Sequence, residues 1–443
     1  MTEATAWFGQ TRFVPGQKVN GTMAGSRAIR LILVFLVTVQ HSAFIYVPAF
    51  FSGREFDDLR GIDDPINAVC VALSALLAGA LMLARPKAIL EGLVRNPLLV
   101  AFMVLALAST LWSIHPDVTI KRAAGYVVTV GVALLLVTMM DFLGAMRVFA
   151  TSFAIAAFGS LVLCVALPQY GIMTSNGDLS ATWRGAYTHK EVLGIAMAIA
   201  VVVECAITLA TRRLTGRHAL IILLYLLLLV MSRAATAIFI AAFAISVTAI
   251  ILSYGRSRLA GMLMLLSVLA VGLCGGYFAL IDPETLLGLF GKDVGLTGRV
   301  ELWQAVLDLI GQRPVLGWGY RATWVPTDQD VQYVDHITGG WGVTAAHNSY
   351  LEITLQLGLV GLGLLAVTVL RAAGLGWSRL RTNEPASGIT MLMLIAILLS
   401  AGLVYEMVGL NQNITWLLFI VVMLGLNRPT AVPAKAGTQG SGA

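Results

Sequence analysis

Charge is scarce in this chain. Asp, Glu, Lys and Arg make up 12% of its 443 residues, about half the share of a soluble domain. So little charge cannot cover a water-exposed surface, which excludes an ordinary soluble globule. Cysteine is rare too: Cys70, Cys164, Cys205 and Cys274 all fall in apolar runs, and none has C-x-x-C spacing. That argues against a disulfide framework or a thiolate metal centre and leaves them as small apolar core residues. Strict alternation of apolar and polar residues is missing, which argues against a β-barrel. The chain has no G-x-x-x-x-G-K-[ST] loop and no G-x-G-x-x-G opening a helix after a strand, so a nucleotide has no ready phosphate cradle. No internal repeat is evident.

What is abundant is apolar sequence. Hydrophobic residues make up 58%, and the mean hydropathy is +0.85. Apolar runs of about 17–25 residues recur from end to end, the length an α-helix needs to cross a bilayer. The expected fold class is therefore all-α, polytopic and membrane-integral, with about twelve spans. Their expected limits are 29–51, 65–84, 97–114, 122–141, 147–167, 190–210, 218–232, 235–254, 259–281, 347–370, 388–406 and 412–427. Ser232-Arg233 divides an apolar stretch too long for one helix, so two spans with a tight turn are expected there. The first run begins near Arg30 and is long enough to remain as a span, so no cleavable signal is expected.

Lys and Arg set the orientation. With the N-terminus inside, short inner loops are almost purely basic: Arg212, Arg213 and Arg217 share one, Arg256 and Arg258 the next. Both termini are then cytoplasmic. The expected division is an inner segment 1–28, nine helices in 29–281, a large outer loop with short helices at 282–346, three helices in 347–427, and a disordered inner tail at 428–443. The first outer loop, 52–64, is acidic. Val300 to Leu307 reads as an amphipathic helix lying on the membrane.

The outer face carries groups with chemistry. Ala346-His347-Asn348-Ser349-Tyr350-Leu351-Glu352 leads straight into an apolar run. Titratable residues at such a place usually face water, a partner or a substrate. An imidazole near neutrality can accept a hydroxyl proton, although a loop-end histidine can equally cap a helix. The helix that follows points its partly positive N-terminus at the same layer, which suits an anion. Tyr350 lies one turn along and can bond a sugar or phosphate. Arg184, Arg233 and Arg299 also fall outside, against the basic-inside trend. Guanidinium groups suit phosphate oxygens, and snorkelling to headgroups is the alternative. His189 and Lys190 open a span beside Arg184 and are candidate substrate contacts. Asp328-Gln329-Asp330 is a D-x-D, as some metal-using transferases carry, but acidic triplets are common in loops. Glu406, near an outer helix end, can reach this layer. Glu204, within a span, suits a partner on another helix or the inner interface. His41, His115, His218 and His336 read as structural. Gly361-Leu362-Gly363 reads as a close helix packing point.

Four blocks in order resemble the O-antigen ligase and polymerase superfamily (Wzy/WaaL type), and within it the succinoglycan-type exopolysaccharide polymerases. They are Arg184-Gly185-Ala186-Tyr187-Thr188-His189-Lys190; Ser232-Arg233; Thr297-Gly298-Arg299 through Leu302-Trp303 with Pro314-Val315-Leu316-Gly317-Trp318-Gly319; and Ala346 to Glu352 ending at Gly358. Together they span roughly 180–365. The resemblance implies an inverting glycosyltransferase of the bacterial inner membrane that needs no metal, nucleotide or other cofactor. Donor and acceptor would be glycans on undecaprenyl pyrophosphate at the periplasmic face, with a chain-length regulator and an export complex as possible partners and no nucleic acid. It implies pyrophosphate contacts for Arg233 and Arg299, acceptor activation by His347, and a substrate role for Arg184, with Asn348 inside the histidine motif. Glu191 stands where relatives often carry Asn. Two other readings stay open: ligation of a glycan to lipid A core or another acceptor, and transport without chemistry.

Overall fold

The computed structural model describes residues 27–41, 65–173, 182–254, 299–325, 328–338, 343–382, 385–403, 405–406 and 413–427. The acidic 52–64 loop, the expected ninth span at 259–281, Thr297-Gly298 and the tail lie outside the described residues. So do the second half of the first span and most of the large loop before Arg299.

The described chain is almost wholly helical. In order come α1 (Arg27–Val39), α2 (Pro65–Leu83), α3 (Pro86–Val94), α4 (Pro97–Ala108), α5 (Pro116–Met139) and α6 (Phe142–Ala166). A two-residue antiparallel pair follows, β1 (Ile172–Met173) with β2 (Thr182–Trp183). Then come α7 (Lys190–Thr211), α8 (Gly216–Ser232), α9 (Ala235–Tyr254), α10 (Arg299–Gln312), α11 (Gln329–Ile337), α12 (Ser349–Arg379), α13 (Pro385–Ala401) and α14 (Ile414–Leu426). Pro86, Pro97 and Pro116 open α3, α4 and α5, where a missing N–H costs nothing. Asp141, Thr215 and Asn413 cap α6, α8 and α14 through their side chains. Arg212 and Arg233 close α7 and α8 in the left-handed conformation.

Among the described residues, α5, α6, α7 and α12 are long and apolar enough to cross a membrane, and the bent pair α2–α3 adds a fifth if it is one broken span. This is a multi-pass membrane protein. Shorter apolar helices occupy the positions expected for other spans. The sequence expectation missed α3, whose run of Ile89, Leu90 and Leu93 is short and interrupted by Lys87 and Glu91. It breaks from α2 by 99° at Pro86.

α7 is the axle. Every residue from Leu193 to Leu209 is buried, and α6, α8, α9 and α13 surround it. A helix that is apolar on all sides belongs in such a place. α14 is buried almost as completely. Glu204 lies within α7, and its Oε2 sits 2.6 Å from His218 Nδ1 on α8, the helix partner expected for it.

α12 is not one straight helix. Gly358 breaks it at φ +64°, and the freed backbone groups are met by the segment 314–319. Trp318 and Gly319 donate their amides to Leu355 O (3.0 Å) and Gln356 O (2.9 Å), while Leu359 N donates to Pro314 O (2.8 Å) and Val360 N to Val315 O (3.3 Å). Gly317 and Gly358 let the two backbones touch, since an added Cβ would meet backbone atoms at 2.6 and 2.1 Å. Among the described residues, nothing lies within 4 Å of a Cβ placed at Gly363, a point of expected close approach. The expected surface helix is also placed otherwise. α10 packs Leu302, Ala305 and Val306 against Val334, Val343, Ala346 and Leu355, so its buried face rests on protein.

Gly358→Ala should abolish accumulation of folded protein, because it adds a backbone clash to a left-handed penalty of about 1–2 kcal/mol. Gly363→Ala should keep or slightly raise stability, by up to about 1 kcal/mol. Thermal unfolding of the detergent-solubilised variants checks both.

Candidate functional site

The bundle has two distinguishable ends. At one, Arg371 Nη2 donates to Arg95 O (3.0 Å), Arg379 Nη2 to Leu426 O (2.7 Å), and Asn427 Nδ2 to Arg95 O (2.6 Å). The opposite end of α12 carries the histidine motif.

His347 is half-buried and left-handed, at φ +47°. A bulky residue takes that conformation only when its surroundings hold it there. They do so on both sides. Upstream, Ala346 N donates to Glu352 Oε2 at 2.8 Å, and Ala346 O accepts from Trp303 Nε1 at 3.0 Å. Downstream, Asn348 Oδ1 caps α12 by accepting from Tyr350 N (2.9 Å) and Leu351 N (3.1 Å). Asn348 Nδ2 donates to Leu403 O at 3.0 Å, and Ser349 N to Gly402 O at 2.7 Å.

Two expected ligand contacts carry structural bonds. Asn348 is buried, and both ends of its amide serve the cap and Leu403, because an N-terminus lacks partners for its first amides. Tyr350 donates its hydroxyl to Leu398 O and Leu399 O, both at 3.1 Å, which satisfies the end of α13. His189 does similar work: its Nδ1 accepts from Glu191 N at 3.3 Å and caps α7. Arg184 has its Nε bonded to Tyr170 O at 2.8 Å, so part of its guanidinium fastens the hairpin. Its loop is pinned further by Ala186 N on Ser160 Oγ and by Tyr187 OH on His41 Nδ1.

Arg299, Lys190 and Arg233 stand on elements that approach one another. Arg299 and Trp303 are four residues apart on α10 and so share a face. Trp303 bonds the backbone beside His347, which turns that face toward the histidine loop. Arg299 is half-buried. Desolvation holds its pKa below the usual guanidinium value, offset in part by the Glu191 carboxylate. Glu191 is the second residue of α7, so Lys190 joins the same layer. One turn further, an added Cβ at Gly194 would touch Ala234 Cβ (2.4 Å) and Ser232 Oγ (2.9 Å). The Ser232-Arg233-Ala234 turn therefore abuts the start of α7, with Arg233 exposed. Glu406, past the end of α13, feels Glu352 and Arg321.

The sequence reading missed the groups that support this layer. Glu352 is 3% exposed and accepts from Trp324 Nε1, Ala346 N and Gln356 Nε2. Arg321, itself at φ +53°, donates its amide to Gln356 Oε1 at 3.1 Å, and its carbonyl accepts from Arg122 Nη1. A carboxylate one turn into an apolar helix was a visible signal of a buried role. Its partners lie too far away in sequence to read. The D-x-D has a structural use: Asp328 Oδ2 sits 2.7 Å from His115 Nε2. Among the described residues, no group of three or more His, Cys, Asp or Glu is arranged to hold a metal ion.

Residues 218–366, which hold Arg233, Arg299, His347 and the Gly358 break, match the Wzy_C family model, described as O-Antigen ligase. This match and the similarity below support the resemblance to the O-antigen ligase and polymerase superfamily. It is also 26% identical over 282 residues to the exopolysaccharide production protein ExoQ of Rhizobium meliloti (strain 1021), covering 61% of this chain and 63% of that protein. The match thus spans less than two thirds of that relative's length. Within this Wzy_C-bearing chain, the matched region contains the α10–α12 contact but not Arg184, His189 or Lys190.

Asn348→Ala should cost at least about 1 kcal/mol of stability, the usual loss of a helix cap, whereas Asn348→Asp keeps the accepting oxygen but sets a carboxylate oxygen against Leu403 O and so should recover only part of that loss. Thermal melts of the two purified variants, measured side by side, check the cap assignment.

Proposed function

We propose that this protein is a membrane glycosyltransferase that joins oligosaccharide repeat units carried on undecaprenyl pyrophosphate into an exopolysaccharide, on the periplasmic face of the inner membrane. What supports this reading most is that the elements carrying His347, Arg299 and Arg233 meet at one end of the bundle, within the residues that match the O-antigen ligase model.

The chemistry follows from those groups. An acceptor hydroxyl attacks the anomeric carbon of the donor sugar from the face opposite the leaving group. A new C–O bond forms as the bond to the pyrophosphate oxygen breaks, which inverts the carbon. The leaving lipid pyrophosphate takes the electron pair, and its growing charge is met by Arg299 and Arg233. His347 takes the hydroxyl proton. Cations fixed before the reaction help most where charge develops, so they lower the barrier rather than only tightening ground-state binding. Lys190 and Arg184 complete the expected substrate layer, and the bond from the donor sugar to its pyrophosphate supplies the driving force without nucleotide or metal. A chain-length regulator and an export complex are the expected protein partners.

The family model's own description favours a second reading, transfer of the glycan to lipid A core or another acceptor. Product analysis separates the two: cells lacking a polymerase accumulate single repeat units, and cells lacking a ligase accumulate lipid-linked polymer. Transport without chemistry is disfavoured because the polar layer lies at one end of the bundle rather than at mid-depth.

Purified protein supplied with lipid-linked repeat units, without nucleotide or metal, should yield polymer. Failure to convert them under any condition sinks the proposal. His347→Ala should lower turnover on the order of 10²–10⁴-fold at normal protein levels. Arg299→Lys keeps the charge but loses the two-pronged geometry, and should lower turnover on the order of 10²-fold.

A further inference from the structure

Glu352 has no place in the chemistry above, yet it is the most heavily engaged carboxylate near His347. It is buried in the first turns of α12. Burying a carboxylate is costly unless several donors meet it. Three do. Trp324 Nε1 lies 2.8 Å from Oε1 and 3.1 Å from Oε2, Ala346 N lies 2.8 Å from Oε2, and Gln356 Nε2 donates to Oε1. Each donor comes from a different place: the 321–325 segment, the residue before His347, and the last turn before the Gly358 break.

These bonds meet at the histidine backbone. The peptide on the N-terminal side of Ala346 is held by Glu352, and the next peptide, which leads into His347, is held by Trp303 on Ala346 O. Downstream, Asn348 is fixed by its cap. His347 is thus suspended between two anchored peptides with φ at +47°, a conformation it would rarely adopt alone. The Trp324 and Gln356 bonds carry the same carboxylate to the loop and to the helix break. We infer that Glu352 is a positioning residue: it sets the orientation of His347 through Ala346 and couples that orientation to the Trp324 segment. It touches no reacting atom. The inference rests on the proposed role of His347 for its catalytic consequence, while the geometric claim stands by itself.

Two measurements on full-length protein in detergent or nanodiscs test it, with Glu352→Gln and Trp324→Phe as variants. The first reads His347 directly: the rate of carbethoxylation by diethyl pyrocarbonate, followed by peptide mass spectrometry, with His115 as the internal standard. Both variants should change the His347 rate at least about threefold and leave His115 unchanged. An unchanged His347 rate in folded Glu352→Gln overturns the inference, whatever the activity. The second reads transfer kinetics. Glu352→Gln should lower kcat at least about tenfold, with KM for the lipid-linked donor and the melting temperature nearly unchanged. Trp324→Phe, which withdraws one donor and keeps the carboxylate, should lower kcat less. A fall in melting temperature that accounts for all the lost activity, or a change in KM alone, would assign Glu352 a merely structural or ground-state role and overturn the inference. If wild-type protein shows no transfer but its His347 rate responds to both variants, the proposed function fails and the positioning role stands.

Discussion

The arrangement depends on a broken helix. At Gly358 the backbone of α12 turns left-handed, and its stranded carbonyls and amides are taken up by the segment 314–319. Within a membrane protein such a break survives only where other backbone satisfies it, because lipid offers no hydrogen bonds. The four bonds from Leu355, Gln356, Leu359 and Val360 therefore weld the large loop to the helix that begins at His347. Two glycines make the weld possible, Gly317 on one side and Gly358 on the other, since any side chain would force the strands apart. The same loop then runs on to Arg321 and Trp324, which meet Gln356 and Glu352 on the first turns of α12.

From that joint, precision passes to the histidine. α10 contributes Trp303 to the carbonyl before His347 and, on the same face, Arg299. α7, buried on every side, holds Glu191 and Lys190 at a fixed height, and the Ser232-Arg233 turn rests on it at Gly194. The basic groups are thus presented by rigid elements rather than by long loops. That is what electrostatic stabilisation of a leaving group requires, because a donor that must first reorganise loses most of its advantage.

Polar groups elsewhere follow the same economy. His41 binds Ser152 and Tyr187 in the core, Glu204 meets His218, and His115 meets Asp328. These three contacts each join residues from different elements and so tie those elements together. The Tyr187 bond matters for the site as well, because it anchors the loop between Arg184 and His189.

The sequence by itself determined the class and the position of most helices, because bilayer-spanning length and proline or cap residues are local signals. It also carried the family resemblance, since the four motif blocks keep their order along the chain. It singled out His347, Arg233 and Arg299 as candidates, because arginines off the expected basic-inside trend and a histidine at a helix start are visible as exceptions. It did not reveal α3, whose charges mask a short apolar run, nor that Asn348, Tyr350 and His189 spend their hydrogen bonds on helix ends. Those assignments depend on which carbonyls lie within 3 Å, and Leu398, Leu399 and Leu403 are about fifty residues away in sequence. Only the tertiary structure decided that Gly317 and Gly358 belong to one joint, that α10 rests on protein, and that a single buried carboxylate, Glu352, ties Trp324 to the backbone of the histidine. Hydrogen bonds act over a few ångströms, and which residues come that close is settled by packing alone.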